Sequence, residues 1–170
     1  MKIIEAMKKI KDLQLKAEDL RGKAAKYCAD LDYETPVYPD QKKQVSEWIQ
    51  AHTDILKEVL DLRVSIQRTN IVTDVTIELD GKQVTKTIAE WIHRRRDLAK
   101  SDYDMWSKLG DRALREGNMQ SSTGTVTMVK IRRYFDPGTR DVMLELYRTE
   151  PSKIDATLEV VNAVTNLIEE

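Results

Sequence analysis

Two short segments combine an arginine, a hydroxyl group and another polar side chain where secondary structure is predicted to change. The first is Arg68-Thr69-Asn70, and the second runs from Arg148 through Thr149 to Lys153. A helix beginning at Thr149 would present free backbone N–H groups, and arginine adds bidentate recognition of phosphate or carboxylate. The segments therefore predict binding of a small anion. The alternative is that they supply helix caps and salt bridges at an interface.

Two further basic groups extend this set. Arg95, in the middle of an arginine triplet, falls on the apolar seam of its predicted helix. We expect it to pair with Asp102, seven residues later, or with an acid of another chain. The second group lies in a predicted β-hairpin and consists of Lys130, Arg132, Arg133 and Arg140. The predicted ligand-binding residues are Arg68, Asn70, Arg95, Arg132, Arg133, Arg148 and Lys153.

Catalytic and metal-binding patterns are missing from the sequence. The two histidines, His52 and His93, have no His, Cys or Asp at metal-ligand spacing nearby. The chain contains no nucleophile-elbow, P-loop or dinucleotide-binding motif. We therefore predict no catalytic residue, no cofactor and no metal, and an enzyme is the least favoured function class.

Two long helices must form the scaffold that positions these residues. The first is predicted over Lys2–Leu31, because apolar residues recur there at spacings of three and four. Two prolines, Pro36 and Pro39, interrupt the pattern, and Asp40 can cap a second helix with its own seam. A short link between two such helices predicts an antiparallel hairpin. The second seam comprises Val45, Trp48, His52, Ile55, Val59, Leu62 and Ile66.

Beyond Asn70 the period changes to that of β-strands. Alternation on both sides of Asp80-Gly81 predicts a β-hairpin over about 73–87. Thr87 and Glu90 form a capping box that opens a third helix, predicted to run to about Glu116. A second β-hairpin is predicted over about 125–148, and a final helix from Thr149. The predicted fold is mostly α, of the α+β kind, in a single domain spanning residues 1–170.

Composition limits the classes of partner. The net charge of −1 provides no overall field for nucleic acid or an anionic membrane, and no apolar stretch reaches the length of a membrane span. A single cysteine, Cys28, favours a reducing setting, which predicts the cytoplasm of a bacterium or of a phage-infected host. Two-stranded ribbons are marginal alone, so we expect a homo-oligomer in which they pack on a neighbouring copy.

Several short motifs carry a resemblance to a known family. They are Ile66-Gln67-Arg68-Thr69-Asn70, the Asp80-Gly81 hairpin, and Thr87-Ile88 followed by Arg95-Arg96-Asp97, together with KIIEAMKKIKDLQ and ATLEVVNAVTNL near the two ends. With these motifs the chain resembles the septicolysin-like family of small bacterial and phage proteins. The resemblance implies a helical fold with inserted β-hairpins. It implies no activity, and the sequence has no charge-free amphipathic β pair that would favour pore formation.

The function predicted first is that of a non-catalytic oligomeric binding protein. Its ligand would be an anionic, nucleotide-derived small molecule, and a phage version could act by sequestering a signalling nucleotide. The alternative is a structural scaffold or inhibitor that acts through a protein partner, with the charge clusters serving as interface salt bridges.

Overall fold

The computed structural model describes residues 1–168 and confirms a mostly α fold with two inserted antiparallel β-hairpins. The elements, in chain order, are α1 (Ile3–Tyr27), α2 (Gln41–Val72), β1 (Asp74–Leu79), β2 (Lys82–Thr87), α3 (Ile88–His93), a π-helical turn (Arg94–Leu98), α4 (Ala99–Ser107), β3 (Gly117–Gln120), β4 (Val126–Val129) and α5 (Pro137–Val164). Within the described residues, no helix combines the length and apolar character that crossing a membrane requires.

The chain divides into two compact units. The first contains Met1–Thr73 and the segment from Glu159 onward, and the second contains Asp74–Leu158. The single domain expected over residues 1–170 stays a prediction.

The first unit contains the predicted antiparallel hairpin of α1 and α2. Ile10 and Leu13 of α1 are buried against Val59 of α2, as the two heptad seams predicted. Lys9 and Glu58 form an ion pair of 2.6 Å beside this core. The Asp40 side chain accepts a hydrogen bond from the Lys43 backbone N–H, so the predicted cap of α2 is confirmed.

In the second unit, the first β-hairpin forms where the sequence predicts it. β1 pairs with β2 so that Ile77 lies opposite Val84, and the link between them contains Asp80 and Gly81, both with positive φ. This geometry is the reason for the Asp-Gly signal, since the turn needs residues that tolerate the left-handed region. The buried Trp91 of α3 donates its indole N–H to the Val75 carbonyl oxygen at 2.9 Å, which connects the helix to the hairpin.

A π-helical turn over Arg94–Leu98 changes which arginine of the triplet faces inward. The Ala99 N–H donates to the Arg94 carbonyl, five residues earlier, so the turn contains one residue more than an α-helical turn. Because of the extra residue, Arg94 and not Arg95 lies on the same side of the helix as Asp102, two turns later. The predicted pairing of Arg95 with Asp102 is therefore wrong: Arg94 holds Asp102, with 2.5 Å between Nη1 and Oδ2.

The position predicted for the second hairpin, about 125–148, is also wrong. The observed hairpin joins Gly117–Gln120 to Val126–Val129, and residues 140–148 lie within α5. The apolar alternation of that segment was too short to distinguish a strand from a helix. The start of α5 has a helix signal of its own. The Asp136 side chain accepts the Thr139 backbone N–H at 2.6 Å, and Pro137 occupies the first helical position.

The third helix also ends earlier than predicted. α4 stops at Ser107, and the chain continues through an irregular segment before β3. In that segment Arg112 and Ala113 have φ values of 52° and 60°, which no helix accommodates. The segment between α4 and β3 is therefore a loop, and it becomes one wall of the cleft described below.

Candidate ligand-binding site

The predicted ligand-binding residues do not form one cluster. Arg68 and Asn70 lie in the last helical turns of α2, in the first unit. Arg68 is exposed, and Asn70 Oδ1 is buried without a hydrogen-bond partner among the described residues. The other five predicted residues belong to the second unit. The neighbouring Thr69 hydroxyl donates to the Ser65 carbonyl at 2.8 Å and accepts the Ile168 backbone N–H at 3.0 Å, so it serves the structure of the first unit.

The anion site predicted at Thr149 is wrong. Thr149 lies in the interior of α5, and its hydroxyl donates to the Glu145 carbonyl at 3.0 Å. Backbone N–H groups in a helix interior already have partners, so the position offers none to an anion. Arg148 forms a bidentate pair with Glu145 on the helix surface, and Lys153 is exposed on the same helix.

Arg94 and Glu150 form the buried ionic cluster of the second unit. Arg94 donates through Nε to Glu150 Oε1 at 2.6 Å and through Nη2 to Oε2 at 3.0 Å, and Asp102 accepts from its third nitrogen. The Glu150 side chain is only 2% exposed. These contacts, led by the hydrogen bonds to Glu150, raise the pKa of Arg94, while burial raises the pKa of the adjacent Tyr147.

Sequence reasoning missed the role of Arg94 and Glu150. The one signal in the sequence was that the acidic Glu150 lies on the inner face of the last helix, which the sequence predicts to begin only at Thr149. Arg95, the predicted member of the triplet, instead pairs with Asp155 at 2.5 Å on the surface. Arg94 has carboxylate partners for all of its nitrogens, so this cluster fits a structural role better than ligand binding.

Arg132 and Arg133 line a cleft that we call the basic cleft, formed by residues 108–114 and 131–135. The first segment is the irregular loop after α4, and the second follows β4. The backbone N–H of Ile131 donates to Glu116 Oε1 at 2.9 Å and joins the two segments next to the hairpin. The cleft has a volume of about 370 Å³, which lies in the range of small-molecule sites.

Positive charge dominates this cleft. Four basic side chains, Lys108, Arg112, Arg132 and Arg133, face one carboxylate, Asp111. Arg133 holds Asp111 through two hydrogen bonds of 2.6 and 2.7 Å, and these bonds lower the pKa of that carboxyl. The other three side chains form no ion pair within residues 1–168. The cleft therefore has uncompensated positive charge available for an anion.

Two aromatic side chains complete the basic cleft. Tyr134 is 88% exposed as a residue, which leaves its ring accessible to a flat ligand. Phe135 is half-buried, and the Arg140 guanidinium lies 5.8 Å from the centre of its ring. Arg140 also donates to the Leu109 carbonyl at 3.1 Å, so it supports the loop wall of the cleft. The arrangement suits an anion that carries an aromatic group.

A larger cleft, of about 640 Å³, lies along the π-helical turn. Its two arginines are neutralised, because Arg94 is held by Glu150 and Asp102 and Arg96 by Asp97 at 2.9 Å, which leaves Lys86 as the lining cation without an ion pair among the described residues. Glu90 on its rim accepts the Thr87 backbone N–H at 2.7 Å and acts as a helix cap. The larger cleft therefore has less unpaired positive charge than the basic cleft.

The comparisons with known proteins identify a fold and no function. Neither a protein family nor a curated protein matches the chain. One solved structure, described as a functionally unknown conserved protein from Corynebacterium diphtheriae, is similar over 99% of both chains with a TM-score of 0.58. At 18% identity, this similarity establishes that the two chains share an overall fold.

Proposed function

We propose that this protein binds an anionic, nucleotide-derived small molecule in the basic cleft and leaves it chemically unchanged. The observation that carries the proposal is the charge of the cleft: Lys108, Arg112 and Arg132 lack ion-pair partners within residues 1–168 and surround about 370 Å³ beside an exposed tyrosine ring. Phosphate groups meet guanidinium groups in bidentate geometry, and a nucleobase can stack on an aromatic ring.

Different residues of the basic cleft would bind different parts of the ligand. Arg112 and Arg132 are both exposed and unpaired among the described residues, so they are the guanidinium groups best placed to take a phosphate. Asp111 orients Arg133 through two hydrogen bonds, which reduces the freedom that this side chain would lose on binding. Tyr134 offers its ring face to the base. Arg68, Asn70, Arg95, Arg148 and Lys153 lie outside this proposed site.

Binding without catalysis fits the residues that line the cleft. Among them there is no serine, cysteine or histidine, and the one carboxylate is committed to Arg133. A general base needs a titratable group near neutral pH, whereas the Asp111 pKa lies below its ordinary value. A protein of this kind acts by holding its ligand, which is the sequestration role predicted for a phage version of the protein.

The proposal includes a homo-oligomer. Residues 118–130 are all exposed, and the uncharged run 117–129 interrupts a chain in which 34% of residues are charged. The exposed apolar side chains Met119, Val126 and Met128 of this hairpin favour burial against another protein surface. The same observation favours the second candidate function, a scaffold or inhibitor in which the hairpin contacts a different protein.

Two measurements test the proposal together. Mass spectrometry of small molecules released by heating the purified protein should detect a phosphate-bearing compound. Calorimetric titration of the emptied protein with a nucleotide panel should then give saturable binding that Arg132→Ala weakens. Arg21→Ala, an exposed arginine on α1, is the matched control and should bind as the wild type does. A protein that releases nothing and binds no member of the panel, yet retains a protein partner in pull-downs, would support the second candidate instead.

A further inference from the structure

The hairpin of β1 and β2 carries two lysines on the face where apolar residues are expected. The register places Val75 opposite Lys86, Ile77 opposite Val84, and Leu79 opposite Lys82, so these six side chains share one face. Val75 and Ile77 are buried, which identifies this face as the one that packs on the core of the second unit. The other face carries polar pairs such as Thr76 and Thr85, whose hydroxyl oxygens lie 2.7 Å apart.

The two lysines border a separate cleft of about 330 Å³, which we call the lysine cleft. Its walls include the apolar side chains Leu79, Val84, Met143 and Leu146 and the aromatic side chains of Trp91 and Tyr147. The four apolar side chains and Tyr147 are half-buried, so part of each still faces the open space, whereas Trp91 is buried. The cleft therefore has an apolar interior, and a lysine stands at each end of β2.

The lysines of the lysine cleft have no carboxylate in direct contact, and the Glu90 carboxylate acts on Lys86 from a longer distance. Lys82 and Lys86 form no ion pair within residues 1–168. Glu150 lines the cleft but already accepts two hydrogen bonds from Arg94, and Asp80, in the turn, is the remaining carboxylate of the lining. A charge at the edge of an apolar cleft is partly removed from water, which favours a counter-ion that can also fill the apolar space.

We infer that the lysine cleft binds a small amphipathic anion, a carboxylate with an aliphatic or aromatic body, as a ligand distinct from that of the basic cleft. The carboxylate would meet the ammonium group of Lys86 or Lys82, and the body would cover Val84 and Leu146. Inward-pointing lysines also protect exposed strand edges from pairing with other chains. Edge protection alone requires no ligand, and the experiment below separates the two roles.

The test uses octanoate as the probe and octan-1-ol as the uncharged analogue. Calorimetry should show saturable binding of octanoate, and at least one of Lys82→Met and Lys86→Met should weaken it by about tenfold, since Met retains the side-chain length and removes the charge. Lys86→Arg should restore most of the affinity. Lys16→Met, an exposed residue of α1, is the matched control and should bind octanoate as the wild type does.

Methyl NMR locates the probe independently of the variants. Octanoate should shift the methyl resonances of Val84 and Leu146 and leave those of Leu56, on the exposed side of α2, unchanged. Absence of saturable binding, equal binding of octan-1-ol, or unchanged affinity in both lysine variants would overturn the inference and leave edge protection as the role of the lysines.

Discussion

Two bidentate arginine–carboxylate pairs in the second unit have nearly the same geometry and very different surroundings. Arg94 binds Glu150 with 2.6 and 3.0 Å contacts, and Arg133 binds Asp111 with 2.6 and 2.7 Å contacts. The Glu150 side chain is 2% exposed, whereas that of Asp111 is 38% exposed. The contact geometry alone therefore does not reveal the role of either arginine.

The neighbouring charges distinguish the two pairs. Around Arg94, a second carboxylate from Asp102 and the ring of Tyr147, 5.3 Å away, occupy the remaining surface of the guanidinium. Around Arg133, the neighbours are Glu116, whose charge reaches it, and the three unpaired cations Lys108, Arg112 and Arg132. The first pair is electrostatically saturated and connects helices, whereas the second leaves an excess of positive charge in an open cleft. We expect changes in the first pair to affect stability and changes near the second to affect binding.

The largest effect is expected from Glu150→Ala. It leaves Arg94 partly buried with only Asp102 as a partner, and breaking such a pair lowers the free energy of unfolding by about 3–5 kcal/mol. Urea denaturation followed by circular dichroism measures the loss. Glu145→Ala removes the exposed partner of Arg148 and serves as the control, for which little change is expected. Equal denaturation midpoints for the two variants would mean that the buried cluster is not a structural element.

The next effect concerns binding. Arg132→Ala removes an exposed, unpaired guanidinium from the basic cleft, and a charge-assisted hydrogen bond contributes about 1.5–3 kcal/mol to binding of a phosphate. We expect the nucleotide affinity to fall by at least about tenfold while the urea midpoint stays unchanged. If stability falls and affinity does not, the arginine belongs to the structural class with Arg94.

Tyr134→Ala should separate recognition of the base from recognition of the phosphate. Stacking of a base on an aromatic ring contributes about 1–3 kcal/mol. The loss should appear for nucleotides and be absent for inorganic pyrophosphate, in parallel calorimetric titrations. Tyr33→Ala, another exposed tyrosine, is the matched control. An equal loss for both ligands would indicate that Tyr134 shapes the cleft without stacking on the base.

A smaller effect is expected at the start of α3, away from both arginine pairs. Thr87→Ala removes a side-chain cap and should lower the free energy of unfolding by about 1 kcal/mol. The contact also creates a pH dependence, because the Thr87 N–H lowers the folded-state pKa of Glu90. Its contribution is complete above the ordinary Glu pKa near 4.5 and disappears as the pH falls through the lower folded-state value. Urea titrations between neutral and acidic pH should show a shallower dependence for Glu90→Gln than for the wild type.

The smallest stability effect is expected from Asp111→Asn. The partners are more than one-third exposed, so losing the ion pair should scarcely change the urea midpoint. The same substitution removes the one negative charge of the basic cleft, so affinity for a phosphate-bearing ligand should rise and depend more steeply on salt concentration. Calorimetry at two ionic strengths measures both quantities. A large loss of stability without a gain in affinity would make this pair equivalent to the buried one.

The parts of the fold and site that the sequence predicts correctly are those with a local signal. The α1–α2 hairpin follows from heptads, and the first β-hairpin follows from Asp80-Gly81, because both signals are local. Arg132 and Arg133 were predicted as binding residues from their own cluster. Lys108 and Arg112 were not, because they reach the cleft from a loop that the sequence pattern assigned to a helix.

Arg94 could not be identified for a different reason. The π-helical turn shifts the inward position by one residue, and three consecutive arginines give no side-chain signal of that shift. Its partner Glu150 lies 56 residues away, on a helix whose first half resembled a strand. Neither a contact between residues far apart in the chain nor a single extra residue in a helical turn can be predicted from the local spacing of apolar residues.

We propose that the basic cleft binds an anion because three of its four cations are unpaired among the described residues. The most direct test of this proposal is calorimetric titration of the wild type and Arg132→Ala with each nucleotide of the panel, at low and at high salt. We predict saturable binding to the wild type that weakens with salt, together with at least about tenfold weaker binding to the variant. Absence of binding across the panel, or equal affinities for the two proteins, would contradict it.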